Sequence, residues 1–123
     1  MNNPVTIKIA DLIGSSLCIS AEDGQKVFEK IKPLIQEGRT VVVSFERVTM
    51  LISLFLNAAI GQLYGTFSEE EIRARVNVNG LADDDLEMLK RVVDNAKRYY
   101  ANPKDYDAAW SQDKDNNDEP DEK

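Results

Sequence analysis

Residues 39–65 read RTVVVSFERVTMLISLFLNAAIGQLYG, and this stretch decides the fold. Its first part, Thr40 to Phe45, is rich in β-branched residues and follows a glycine, which is typical of a short, buried strand in a sheet covered by helices. Glu46 and Arg47 then form a polar turn. Apolar residues recur after the turn at spacings of three and four, which predicts a helix packed on the sheet. This apolar stripe consists of Ile52, Phe55, Leu56, Ala59, Ile60 and Leu63.

Ser53 lies at the start of this helix and has two interpretations. Its hydroxyl can cap the free backbone N–H groups of the first turn, a common role that stabilises a helix by about 1 kcal/mol. A phosphoryl group on the same hydroxyl would place a dianion at the positive end of the helix dipole. Capping is the more common role of such a serine, and Ser53 is also the candidate phosphorylation site of this chain.

Toward the N-terminus the sequence predicts two strands separated by a loop. Apolar and polar residues alternate over Val5–Ile9, as in an edge or half-exposed strand. Gly14, Ser15 and Ser16 indicate a loop or hairpin, and residues 17–19 predict a brief second strand. Cys18 lies in this apolar run and has no second cysteine to pair with, so we interpret it as a core residue rather than a reactive thiol.

A helix is predicted between this second strand and the buried strand at 40–45. Ser20, followed by Glu22 and Asp23, is an N-cap signal with acidic residues in the first turn, and Gly38 ends the pattern. Pro33 lies inside the helix and is expected to kink or split it, because its ring removes a donor and clashes with the preceding turn. The apolar stripe of this helix consists of Val27, Phe28, Ile31, Leu34 and Ile35.

The C-terminal half predicts a short helix, a last strand and a long helix. Ser68 and Glu71 form a capping-box pattern, and residues 75–79 alternate before Gly80. Asp83 or Asp84 is then expected to cap a helix that Asn102-Pro103 closes. The stripe of this last helix consists of Leu86, Leu89, Val92, Val93, Ala96 and Tyr100. The alternation of strands and helices predicts an α/β fold, a small mixed sheet with helices packed on it.

Composition divides the chain into an α/β domain at 1–102 and an acidic tail at 103–123. The tail carries eight acidic and three basic residues, a net charge of −5 out of −7 for the whole chain. Its apolar content is too low to offset chain entropy, so it is expected to be disordered. The tail has two interpretations. It either only keeps the protein in solution or serves as an interaction segment, and in the second case Tyr106 and Trp110 would supply aromatic contacts.

The chain lacks residues that several classes of protein function need. The chain has no histidine and one cysteine, which argues against the common zinc sites and the usual proton shuttle. Asp83–Asp85 is explained by the first turn of a helix better than by a metal ion. A phosphate-binding loop, a basic stripe for nucleic acid and a membrane-spanning apolar run are also absent from the sequence. We therefore expect a cytoplasmic protein without catalysis, cofactor, bound metal, direct nucleic-acid contact or membrane contact.

Two segments carry a resemblance to a known family. VVVSFERVTMLISLFLNAAIGQLYG (residues 41–65) and FSEEEIRARVNVNG (residues 67–80), followed by the long helix, resemble the STAS-like domain family, a domain of unknown function related to bacterial anti-sigma factor antagonists. The resemblance covers about Val5 to Pro103 and implies a small mixed sheet with helices. In the related antagonists, the helix after the buried strand binds a partner kinase or sigma-factor inhibitor, and phosphorylation of a serine at its start breaks that contact. The aligned position here is Leu54, beside Ser53.

The favoured function is therefore a non-enzymatic protein-interaction module in bacterial signalling or transcriptional regulation. The resemblance implies a histidine-kinase-like ATPase or an anti-sigma-type regulator as its partner, and a homodimer is also open. The alternative is an acidic inhibitor, encoded by a mobile element, whose tail blocks a basic nucleic-acid-binding surface of its target. A nucleotide-binding domain or small enzyme is a weaker third hypothesis. The candidate docking residues are Glu46, Arg47, Met50, Leu51, Ser53, Leu54 and Asn57.

Overall fold

The computed structural model of the chain describes residues 3–101. This part contains five strands and five α-helices, with the fourth strand directly after the third and a short 3₁₀ helix at Gly61–Gly65 between the third and fourth α-helices. The strands are β1 (Val5–Lys8), β2 (Leu17–Cys18), β3 (Val41–Ser44), β4 (Met50–Leu51) and β5 (Val76–Asn79). The helices are α1 (Ile9–Ile13), α2 (Ala21–Gln36), α3 (Ser53–Ala59), α4 (Glu69–Arg75) and α5 (Asp83–Ala101).

Three strands form the main sheet in the order β1-β3-β5, and all of them are parallel. The β-branched run of the sequence forms a strand, as predicted, and this strand is the central one of the sheet. One face of the sheet carries its apolar residues in register, while Thr6, Lys8, Asn77 and Asn79 are exposed on the other face. The apolar rows are Val5–Val41–Val76 and Ile7–Val43–Val78.

The α/β fold class is confirmed, and the direction of the strands refines it. Both the main sheet and the small β2–β4 pair are parallel, whereas the sequence predicts a mixed sheet. The reason lies in the connections, because each strand of the main sheet is followed by helical segments before the next one. A crossover of this kind returns the chain in the same direction.

The core lies between the apolar face of the main sheet and the helices, and α2 and α3 make the most extensive contact among them. Phe45, Phe55 and Ile31 are among the largest fully buried side chains.

Cys18 is also fully buried, which confirms its assignment to the core. Burial, with a smaller contribution from Asp23, raises the pKa of its thiol to about 11, so the thiol is protonated at neutral pH.

Two predicted helix starts are confirmed by their hydrogen bonds. The backbone N–H of Asp23 donates to Ser20 Oγ over 3.1 Å, and the N–H of Glu71 donates to Ser68 Oγ over 3.1 Å. Helix α2 is continuous through Pro33, so it is not split. Pro33 is exposed and lies in the last turn, so the helix ends at Gln36, shortly after the missing donor.

Three expectations about the helices are wrong. Residues 9–13 form helix α1, which Gly14 ends with φ of 72°, where a strand end and a loop are predicted. Five residues are too few for a helical period to be visible. The predicted apolar stripe extends the helix after β3 to Leu63, whereas α3 ends at Ala59 and a 3₁₀ helix follows it at Gly61–Gly65. Asp83 and Asp84 lie inside the first turn of α5 rather than before it, so their charge still complements the helix dipole.

The α5 stripe is buried only in part. Leu89, Val92 and Ala96 are in the core, whereas Leu86 is 52% exposed and Tyr100 is 39% exposed.

Glu69 connects the N-terminal end of α4 to α5. Its carboxylate accepts hydrogen bonds from Lys97 of α5 and from Arg73 of α4, each over 2.7 Å. The hydrogen bond with Lys97 lowers the pKa of Glu69 and raises the pKa of Lys97.

Some sequence-based expectations concern residues outside the described range of 3–101. They are the closing Asn102-Pro103 pair, the disordered acidic tail at 103–123 and the aromatic residues Tyr106 and Trp110. Within the described range, no helix combines the length and apolar character that spanning a bilayer requires.

Candidate functional site

The polar corner after β3 is a tight turn with an uncommon backbone conformation. The N–H of Val48 donates to the carbonyl of Phe45 over 3.1 Å and closes the turn. Arg47 has φ of 68°, the one positive φ of a non-glycine residue among residues 3–101. Its guanidinium pairs with Asp11 of α1 at 3.1 Å. Glu46 and Arg47 are both exposed, so this corner presents one negative and one positive side chain to solvent.

The β2–β4 pair places two apolar side chains next to each other on the surface. Leu17 is in register with Met50, and they are 41% and 53% exposed. The next pair in register, Cys18 and Leu51, faces the opposite way and is buried. Leu51 is therefore a core residue, whereas a docking role would expose its side chain. The sequence does not reveal this because the burial of Leu51 depends on pairing with a strand far away in the chain.

Helix α3 divides its residues between the core and the solvent. Phe55, Leu56 and Ala59 are buried, whereas Ser53, Leu54 and Asn57 are exposed. Leu54 is 52% exposed, and it follows β4 closely in the chain. The exposed positions are those predicted to dock a partner, and the buried ones anchor the helix in the core.

Ser53 does not cap helix α3. The helix starts at Ser53 itself, the N-cap position is occupied by Ile52, and no side chain accepts a capping hydrogen bond there. The capping interpretation is wrong because a cap residue must precede the first helical residue, with extended backbone angles. Ser53 is one position too late for that role. Its hydroxyl makes no hydrogen bond within residues 3–101.

Sequence reasoning missed two further exposed apolar residues, Leu17 and Ile19. Leu17 is the register partner of Met50, and Ile19, which is 43% exposed, follows directly after β2. We call Leu17, Ile19, Met50 and Leu54 the apolar surface. Large exposed apolar patches with polar rims are typical of interaction sites.

A cavity of about 390 Å³ opens between the start of α3 and the middle of α5. Ser53 and Asn57 line it from α3, and Arg91 and Asn95 line it from α5. Spacing of four residues places each pair on one face of its helix. Asp83–Asp85 lies elsewhere on α5, and no three His, Cys, Asp or Glu side chains in the described part of the chain are arranged to hold a metal ion.

The family described as STAS-like domain of unknown function (DUF4325) matches residues 23–86. The match covers more than half of the 123 residues. The chain belongs to this STAS-like family. No curated protein and no solved structure matches the chain.

The match defines which parts of the candidate site belong to the STAS-like region. It extends from the first turn of α2 to the first turn of α5 and contains every candidate docking residue of β4, α3 and the corner before them. Leu17, Ile19, Arg91 and Asn95 lie outside the matched residues. The family match therefore covers Met50 and Leu54 of the apolar surface and the α3 side of the cavity.

Proposed function

We propose that this STAS-like domain is a non-enzymatic protein-interaction module in bacterial signalling or transcriptional regulation. The observation that carries the proposal is the apolar surface, in which Leu17 and Met50 lie in register and Leu54 projects from the following helix. The charged corner of Glu46 and Arg47 borders the same loop and would form a polar rim. Apolar centres with polar rims are typical of protein–protein interfaces.

The partner proposed for this surface is a histidine-kinase-like ATPase or an anti-sigma-type regulator. Support comes from Leu54, which brings the apolar surface onto helix α3. The corresponding helix after the buried strand is the element by which the anti-sigma factor antagonists related to this family bind their partners. Leu54 and Asn57 point outward from this helix while Phe55 holds it in the core. A partner can therefore bind α3 without any rearrangement of the domain.

Leu54→Arg is expected to weaken partner binding by about tenfold or more, because a charge would be placed in the apolar centre of the interface. Capture from a lysate of the native cells by the immobilised full-length chain, followed by titration of the captured partner, measures this. The matched control is Leu86→Arg, because Leu86 has the same exposed fraction of 52% but lies on α5.

The control separates the docking surface from a general effect of added charge. Equal capture by the Leu54→Arg and wild-type chains would contradict the proposal. Light scattering of the purified chain shows whether a second copy occupies the surface instead, since Leu54→Arg would then convert a dimer into a monomer. A chain ending at Asn102 tests the inhibitor hypothesis, in which loss of the acidic tail alone abolishes binding.

We further propose that phosphorylation of Ser53 regulates this contact. The support is that its hydroxyl is exposed, has no hydrogen-bond partner among the described residues and lies beside Leu54. Ser53→Asp is expected to lower partner affinity several-fold, because a negative charge enters the apolar interface, whereas Ser53→Ala is expected to bind as the wild type does. Titration of both variants measures this, and equal affinities of Ser53→Asp and Ser53→Ala would refute the regulatory role.

A further inference from the structure

The cavity between α3 and α5 has a composition that differs from the apolar surface beside it. Its volume of about 390 Å³ falls in the range of small-molecule sites in proteins. Half of its lining residues are apolar, among them Val92 of the core, and the others are Ser53, Asn57, Arg91 and Asn95. A small molecule that binds there therefore meets both apolar and polar side chains.

The charge of the cavity comes from Arg91 alone. It is the one charged side chain of the lining, and it makes no ion pair within residues 3–101. Glu87, one helical turn earlier on α5, lines a neighbouring depression instead of this cavity. A guanidinium without a carboxylate partner retains its capacity to bind an oxyanion through two parallel hydrogen bonds.

The uncharged polar groups of the lining include further donors. Arg98 Nη2 donates to Asn95 Oδ1 over 2.6 Å, which occupies the oxygen and leaves the NH₂ group of Asn95 as the remaining donor. The Ser53 hydroxyl has no partner among the described residues and can also donate. No carboxylate side chain lines the cavity to repel an anion.

We propose that this cavity binds a small organic anion, with its oxyanion group held by Arg91, Asn95 and Ser53 and its apolar part packed against the side of Val92. Phosphate and carboxylate groups share this chemistry, and the size of the cavity admits one ring or a short chain beside the charged group. The site lies next to the proposed docking surface and shares Ser53 and Asn57 with it. Its existence does not depend on a protein partner.

Titration of the purified full-length chain with phenyl phosphate and with benzoate, followed by ¹H–¹⁵N NMR, tests the proposal. We expect the backbone amides of residues 51–57 and 88–95 to shift with at least one of the two anions, and the tighter of them identifies the preferred group. Neutral benzamide has the same ring without the charge and is expected to produce much smaller shifts. Inorganic phosphate, which lacks the ring, is expected to bind more weakly than phenyl phosphate if the phosphate is preferred.

Arg91→Gln is expected to weaken binding of the preferred anion by about tenfold or more, the size typical of a hydrogen bond to a charged group. The matched control is Lys90→Gln, which removes one positive charge from the adjacent residue, where the side chain lines the other depression. The NMR spectrum of each variant shows at once whether the domain is folded.

Three results would each overturn the proposal. They are chemical-shift changes located away from the cavity, binding of benzamide as tight as that of the anions, and equal anion affinities of Arg91→Gln and Lys90→Gln. These outcomes are independent of the partner-binding test, because no partner is present in the titration. A domain whose Leu54→Arg variant retains partner capture can still bind the anion, and the reverse also holds.

Discussion

Phe55→Ala is expected to lower the free energy of unfolding by about 3–5 kcal/mol. Phe55 is fully buried in α3 and is one of the largest side chains of the core. Its removal takes away apolar contacts and leaves a cavity that the surrounding helices and sheet fill only in part. Because a domain of this size has a stability of roughly 5–15 kcal/mol, this single change removes a large part of it.

Chemical denaturation followed by far-UV circular dichroism measures the loss. Leu54→Ala is the matched control, since Leu54 is the preceding residue of the same helix and is 52% exposed. Its effect is expected to stay within about 0.5 kcal/mol, as for most surface substitutions. If both variants lost the same stability, the assignment of Phe55 to the core and of Leu54 to the surface would be wrong.

The opposite positions of these two neighbours explain how the fold presents its docking side. Helix α3 has only seven residues, too few for a stable isolated helix, so its burial in the core holds it in place. Phe55 and Leu56 supply that burial, and they leave Ser53, Leu54 and Asn57 exposed on the outer side. Stability and recognition are therefore assigned to different residues of one short helix.

Much of the fold can be predicted because the deciding signals are local. The β-branched run of β3 and the hydroxyls of Ser20 and Ser68 act through neighbours in the sequence, and the structure confirms each of them. The burial of Leu51 follows from pairing with Cys18, more than thirty residues earlier, and the sequence pattern contains no sign of that pairing.

One part of the candidate site could be predicted from the sequence, and the other part could not. Met50 and Leu54 stand out because they are apolar beyond what one buried stripe needs, and both are exposed as predicted. Arg91 and Asn95 give a weaker signal, a polar pair spaced by four residues on a predicted helix. Nothing in the sequence links that pair to Ser53 and Asn57, since only the packing of α3 against α5 brings the two pairs to one cavity.

Gly24→Ala is expected to lower the free energy of unfolding by about 2–3 kcal/mol, a cost typical of an overpacked core. Gly24 is buried where α2 crosses α3, and an added Cβ would lie 2.5 Å from the carbonyl oxygen of Phe55 and 2.8 Å from the Cβ of Ala58. The oxygen belongs to the backbone and cannot rotate away, so the two helices must separate. Helix propensity alone predicts the opposite sign, a gain of about 1 kcal/mol for alanine.

Gly61→Ala provides the matched control, because Gly61 is also buried but its added Cβ would meet no atom closer than 3.6 Å. Denaturation midpoints of the two variants are therefore expected to differ clearly, with Gly61→Ala close to the wild type. A Gly24→Ala protein as stable as the wild type would show that α2 and α3 do not approach this closely. Separation of the helices also displaces α3, so Gly24→Ala is expected to weaken partner capture, although Gly24 itself is buried beneath the docking side.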